Sequence, residues 1–245
     1  TEFQQPTLAA DGYYEIANAA QLAWFRNYVN TANAEPYKTA SARLAADINL
    51  AAVCGEYKGS WTPIAKYTPY AFATGYGWQG VFDGNGKRIN GLYISDLSGN
   101  FQALFGMVEG SVKNLTVQGQ LTTGNTTALV VSLLGGNGTM EYCTAEGSVN
   151  GSATVGGIVA DVKSTEAQVS HCTNQASVTG GSSMLVGGIA GSTSGTISHS
   201  LNYGAVTGLQ NDPDYPPTSY IVGGIAGAKS GKTARIEHCA NMGMV

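Results

Sequence analysis

Three histidines recur at one position of a repeating pattern: His171 opens His-Cys-Thr-Asn, His199 opens His-Ser-Leu-Asn and His238 opens His-Cys-Ala-Asn. Imidazoles on one face of stacked strands, about 4.8 Å apart, would form an outward ladder suited to chelating a metal or gaining charge near pH 6. No carboxylate recurs beside them, and solvated stacking satisfies the rings equally well, so neither a metal site nor a cofactor is expected. The next column holds Leu115, Cys143, Cys172, Ser200 and Cys239. Cys143 and Cys172 fall on adjacent units within disulfide range, Cys239 lies two units beyond Cys172, and Cys54 has no sequence partner. Free thiols packed as small hydrophobes are the expected state, with a Cys143–Cys172 disulfide as the alternative in an exported protein.

Other candidate chemistry is weaker. Gly227-Ala-Lys-Ser-Gly-Lys-Thr233 resembles a phosphate loop, but Ala226 stands where its first Gly belongs, and the segment aligns with the turn Gly191–Gly195 one unit earlier. The acidic turns at Asp83-Gly-Asn85 and Asp212-Pro-Asp214 supply too few oxygens for Ca²⁺ and read as backbone-bonding turns. Polysaccharide cleavage needs facing carboxylates or a carboxylate cluster with a basic partner. Asp161, Lys163, Glu166, Lys229, Lys232, Arg235 and Glu237 fall in different columns. The expectation is that this is not an enzyme.

The aromatic residues carry the strongest functional signal, because 18 of the 22 Phe, Trp and Tyr lie before position 106. Trp24, Phe25 and Trp61 are expected to fill a cap and seal the first coil. Tyr67, Tyr70, Tyr76 and Trp78 sit in a Gly- and Pro-rich stretch without strand periodicity, and are expected to stack on sugar faces or anchor a protein partner.

The elements that must position these residues follow from the repeat. Its column spacings are 28, 29, 28 and 39 residues, and Val-Gly-Gly-Ile opens units at positions 155, 186 and 222. Within a unit, apolar and small polar residues alternate over about 4–6 residues between Gly, Ser, Thr and Asn, which reads as short strands joined by turns. One such unit cannot bury its own apolar face, so units must stack. The predicted fold is all-β: a right-handed parallel β-helix, a solenoid of three short strands per coil. Asn174, Asn202 and Asn241 form a further column, expected as an Asn ladder at a corner. Asn18 and Gln21 resemble a capping box before Leu22, Phe25 and Val29 at helical spacing, so a short N-terminal α-helical cap is expected over the solenoid's open edge. Residues 1–245 then form one β-helix domain: an N-terminal strand and helix cap over 1–40, with Tyr13-Tyr-Glu-Ile16 as the strand, irregular first coils with an aromatic excursion over 41–100, and regular repeats over 101–245. The surplus before the last repeat is a loop from Leu209 to Ser219.

A net charge of −4 with only 11% charged residues offers no basic patch for nucleic acid. The longest apolar run, Ala128–Leu134, is far short of the 18 or more residues of a membrane span, so no membrane insertion is expected within these residues.

Phe82-Asp-Gly-Asn-Gly-Lys-Arg-Ile-Asn-Gly-Leu, Leu104-Phe-Gly with Val112-Lys-Asn-Leu-Thr-Val, and the Val-Gly-Gly-Ile-Ala-Gly and His-Cys-x-Asn elements resemble the GLUG repeats of bacterial secreted and surface proteins. The likeness extends over roughly residues 12–245. It implies an extracellular or bacterial cell-surface location, with any signal or anchor outside these residues, and a non-catalytic adhesin-like role in display or binding. The expected partners are a glycan or a host or bacterial surface protein, met by a monomer. A structural spacer and a polysaccharide-active β-helix are the alternatives. The resemblance brings no catalytic residues. Thr126–Gly151 departs most from the pattern, with Leu-Val-Val-Ser-Leu in place of Gly-Gly.

Overall fold

The computed structural model describes residues 3–32, 34–67, 75–181, 185–208 and 221–245. Strands stack in parallel into a β-solenoid of about seven turns with one short helix. Three sheets run along it: one of sixteen strands, one of five and one of three. The register follows the repeat, with Val149, Val178 and Val206 in one column and Met140, Val169, Ile197 and Ile236 in another. These inward columns merge into a single apolar core running from Tyr14 to Val206.

Each regular coil is more broken than three simple strands. The coil after Gly151 holds Thr154–Gly156, Val159–Val162, Gln168–Ser170, Thr173–Asn174 and Ser177–Gly180. One break has a conformational cause: the residue before the Cys column is left-handed in every coil, at His171 (φ 53°), His199 (φ 48°) and His238 (φ 53°). Tyr142 and Asn114, both at φ 53°, hold the same corner in earlier coils. Asn and His tolerate this region better than most side chains.

A second corner interlocks two motifs. Asn174 Nδ2 donates to Asn202 Oδ1 at 2.8 Å, and Asn202 Nδ2 donates to Asn241 Oδ1 at 2.7 Å. Each amide also donates to the carbonyl two residues on, at Ala176, Gly204 and Gly243. The second glycine of each Gly-Gly pair lies against this ladder: a Cβ on Gly157, Gly188 or Gly224 would come within 2.3 Å of the Cγ of Asn174, Asn202 or Asn241. The divergent coil inverts the pair. Register places Leu129 at the Gly157 position and Ala145 at the Asn174 position, so bulk moves from one wall to the other.

The N-terminal end is closed. Asn18 Oδ1 accepts from the Gln21 N–H at 2.9 Å, and Gln21 Oε1 accepts from the Ala17 N–H at 2.7 Å. This starts the helix Ala19–Val29, which buries Leu22, Phe25 and Val29. Burying each of these contributes about 1.5–3 kcal/mol. The first rung comes earlier than the expected cap boundary: Tyr13–Ile16 already pairs in parallel with Ser41–Leu44. Its outer edge is covered by the antiparallel strand Thr7–Leu8. Asn30, at the helix C-terminus, mimics a strand partner for the next edge, donating to Pro63 O at 2.8 Å and accepting from the Lys66 N–H at 2.9 Å.

Candidate functional site

The segment from Ser60 to Gly80 leaves the solenoid and returns to it. Its first leg pairs at Ile64 with Phe105, and its last at Trp78 with Val108. Glu109, only 9% exposed, holds the returning end: its two carboxylate oxygens accept from the Gly75 N–H at 2.8 and 3.0 Å. Gln79 Nε2 adds a second donor to this carboxylate at 3.1 Å. Hydrogen bonds from two donors offset part of the cost of burying it.

Trp78 corrects the sequence expectation. It is 3% exposed, stacks on Phe105 at 5.9 Å, meets Phe25 edge-on at 6.4 Å and donates from Nε1 to Ala40 O at 2.9 Å. With its ring packed and its N–H already bonded, Trp78 is a core residue that only borders the cavity beside Tyr76. Trp61 is buried likewise, bonded through Nε1 to Leu104 O and overlaid by the Arg26 guanidinium at 4.6 Å. Tyr70 lies outside the described residues, as does the Leu209–Ser219 loop.

Tyr67 and Tyr76 are at the surface. Tyr67 stacks on Phe101 at 4.4 Å, and both pack on Met107 and Leu133, outside the main core. Beside them opens a cavity of about 330 Å³ over Trp61, rimmed by Lys66, Asp96, Asn100 and Gln102. Tyr76, 45% exposed, borders a second cavity of about 180 Å³ with Lys38 and Lys66. Lys66 is shared by the two.

The histidines point outward and stack, with His171–His199 and His199–His238 centroids both 4.9 Å apart and planes within 5° and 23°. Tyr142 extends the row at 4.8 Å from His171. Sequence reasoning passed over Tyr142, although it precedes Cys143 as each histidine precedes its column. Equivalent nitrogens on parallel rings are separated by the ring spacing, whereas two nitrogens on one zinc lie at most about 4.2 Å apart. The stack as it stands is therefore too open to bridge a metal.

The four cysteines are free thiols. Cys143 Sγ donates to Val112 O, and Cys172 Sγ to Ser170 O. The Cys143 thiol is pushed well up by its hydrogen bond with Cys172 and by burial; burial also raises Cys54. We expect Ellman's reagent at pH 8 to leave Cys54, Cys143 and Cys172 unmodified in the folded protein and to count four thiols in guanidinium. A denatured count of two would mean a disulfide.

The chain is similar to pieces of much larger proteins. Halomucin of Haloquadratum walsbyi is 32% identical over 158 residues, which is 62% of this chain and 2% of that protein. A "putative Gly-rich membrane protein" of Evansella cellulosilytica is 34% identical over 127 residues, 51% of this chain and 13% of that protein. No family model matches. Among solved structures, a "putative immunoglobulin A1 protease" from Bacteroides ovatus superposes with a TM-score of 0.76 at 22% identity, over 98% of this chain and 69% of that one. At that identity the likeness shows the β-helix fold alone.

The cavity over Trp61 combines a stacked ring pair with an amide, a carboxylate and an ammonium on a rigid scaffold. Among the described residues, no group of three or more His, Cys, Asp and Glu is placed to hold a metal ion. Asp161 is the carboxylate in the regular coils that burial pushes upward, with Lys163 Nζ 3.7 Å away countering it.

Proposed function

We propose that this chain is a non-catalytic β-helical module of a cell-surface protein of the GLUG-repeat kind, presenting a recognition surface for a glycan or a protein on its N-terminal half. The observation that carries it is the cavity of about 330 Å³ beside Tyr67 and Phe101, where apolar rings and convergent polar groups meet. The surface location draws support from the relatives, one of them named a membrane protein. A second reading, favoured by the neighbour's description as a protease, gives the chain a part in peptide cleavage.

One experiment weighs both. The chain is applied to an array of bacterial, plant and host glycans and matrix proteins beside Lys66→Ala/Asn100→Ala, and is separately incubated with immunoglobulin A1. Both side chains rim the cavity, and Lys66 is exposed, so the fold should survive. We expect binding that the double variant loses. Equal binding by the variant moves the site elsewhere, absence of any binding favours a spacer, and cleavage of the immunoglobulin overturns the non-catalytic assignment.

A further inference from the structure

The helix Ala19–Val29 has two aromatic faces, and only one of them is fully buried in the core. Phe25 faces inward and is fully buried. Trp24 and Tyr28, one turn apart, are half-buried and stack on each other at 4.9 Å with planes 13° apart. Phe3, 49% exposed, joins them around a cavity of about 280 Å³ whose remaining lining is Asn27 and Thr31. Tyr14 and Tyr37 brace Tyr28 at 5.5 and 4.8 Å. Large rings left at a surface mark recognition sites more often than they aid stability.

The polar groups of this cleft are fixed in advance. Arg26 Nε and a terminal guanidinium nitrogen both donate to Asn27 Oδ1 at 3.1 Å, while the same guanidinium lies 4.6 Å over Trp61 and 6.0 Å from the Phe3 ring. Thr31 Oγ1 donates to Asn27 O at 2.9 Å. The Tyr28 hydroxyl is hydrogen-bonded to Tyr14, which with burial pushes it up to about 12, so it stays neutral. The residues that line the cleft are uncharged, and the Arg26 guanidinium backs it through Asn27 and the Phe3 ring. Flat apolar rings beside a positioned amide and hydroxyl complement a ligand that has an apolar C–H face and a hydroxylated rim.

We propose that Phe3, Trp24, Tyr28 and Asn27 form a carbohydrate subsite on the helical cap, taking the flat face of an uncharged pyranose. The proposal rests on the glycan form of the reading above and places a site at the cap, separate from the cavity over Trp61. Ring stacking supplies affinity that depends little on linkage, and the Asn27 amide supplies orientation.

The test is calorimetric titration of the chain with neutral pentasaccharides of β-1,4-glucose, α-1,4-glucose, β-1,4-mannose and β-1,4-xylose, with pentagalacturonate as the acidic control. Trp24→Ala, Phe3→Ala and Lys66→Ala/Asn100→Ala are titrated alongside, with near-ultraviolet circular dichroism to confirm folding. We expect at least one neutral sugar to bind, Trp24→Ala and Phe3→Ala each to weaken it about 30-fold, and Trp24→Phe to recover most of the loss. The cavity double variant should change it by less than about threefold. Phe3 is 49% exposed, so a loss of binding by folded Phe3→Ala cannot be ascribed to a failed fold. Loss in the cavity variant alone overturns the cap site and leaves the glycan reading standing. Preference for the acidic sugar, or undiminished binding by folded Trp24→Ala, overturns the proposal, and no binding to any pentasaccharide overturns both.

Discussion

Trp78→Ala should unfold this protein at a markedly lower temperature while Tyr76→Ala leaves it almost unchanged. Trp78 ties the returning leg of the excursion to the helix and to the first coils through Phe25, Phe105 and the Ala40 carbonyl. Truncating a buried aromatic costs about 3–5 kcal/mol through lost transfer energy and the cavity left behind. In a chain of this size each kcal/mol lowers Tm by about 2–4 °C, so a fall of roughly 6–20 °C is expected by calorimetry. Tyr76, 45% exposed, should stay within about 2 °C of the parent. Equal, small shifts in both variants would show that the indole is not embedded as described, and would restore Trp78 as a ligand-binding candidate.

This contrast shows where the sequence is legible. The Cys, Asn and Val columns repeat because every coil must present the same kind of side chain to the same interior, and a period near 28 residues survives in the letters. Stacking then makes the structure repeat as the letters do, so His171, His199 and His238 could be placed outward from spacing alone. Nothing of that kind operates between Ser60 and Gly80. Among the described residues its strand bridges are isolated, at Ile64 and at Trp78, so its buried and exposed aromatics look alike in sequence. The left-handed corner was hidden for another reason. Asn114, Tyr142 and the histidines share a backbone conformation and no side-chain chemistry, so only their place before the Cys column gives them away. Trp24 is expected to fill the cap, and its half-burial beside Tyr28 is not legible, because helical spacing marks Leu22, Phe25 and Val29 as the inward face and leaves open how far their neighbours are covered.

Gly188→Ala is expected to be strongly destabilising, because the added methyl meets both backbone and the Asn ladder. The new Cβ would lie 2.2 Å from the Gly224 carbonyl oxygen and 2.3 Å from Asn202 Cγ. The first is backbone of the next coil and cannot rotate away, so the coils must separate, breaking the Gly188 N–H bond to Gly223 O and the Asn202–Asn241 bond together. Gly181→Ala is the control, because its nearest neighbour would be 3.5 Å away. Asn202→Ala attacks the same joint from the other wall. It removes the acceptor for Asn174 Nδ2 and the donor to Gly204 O, and an unsatisfied buried group costs about 1–3 kcal/mol, so a loss of roughly 2–5 kcal/mol follows. Combined, the two changes should cost less than their sum, since Asn202→Ala removes two of the three atoms that the new Cβ meets. Because each coil touches only its neighbours, the damage should be local. Hydrogen exchange is expected to show protection lost from Leu185 onward in Gly188→Ala and kept between Tyr13 and Thr123. Uniform loss along the chain would mean that the solenoid unfolds as one unit, and protection equal to that of Gly181→Ala would mean that the Asn ladder and the glycine column are not in contact.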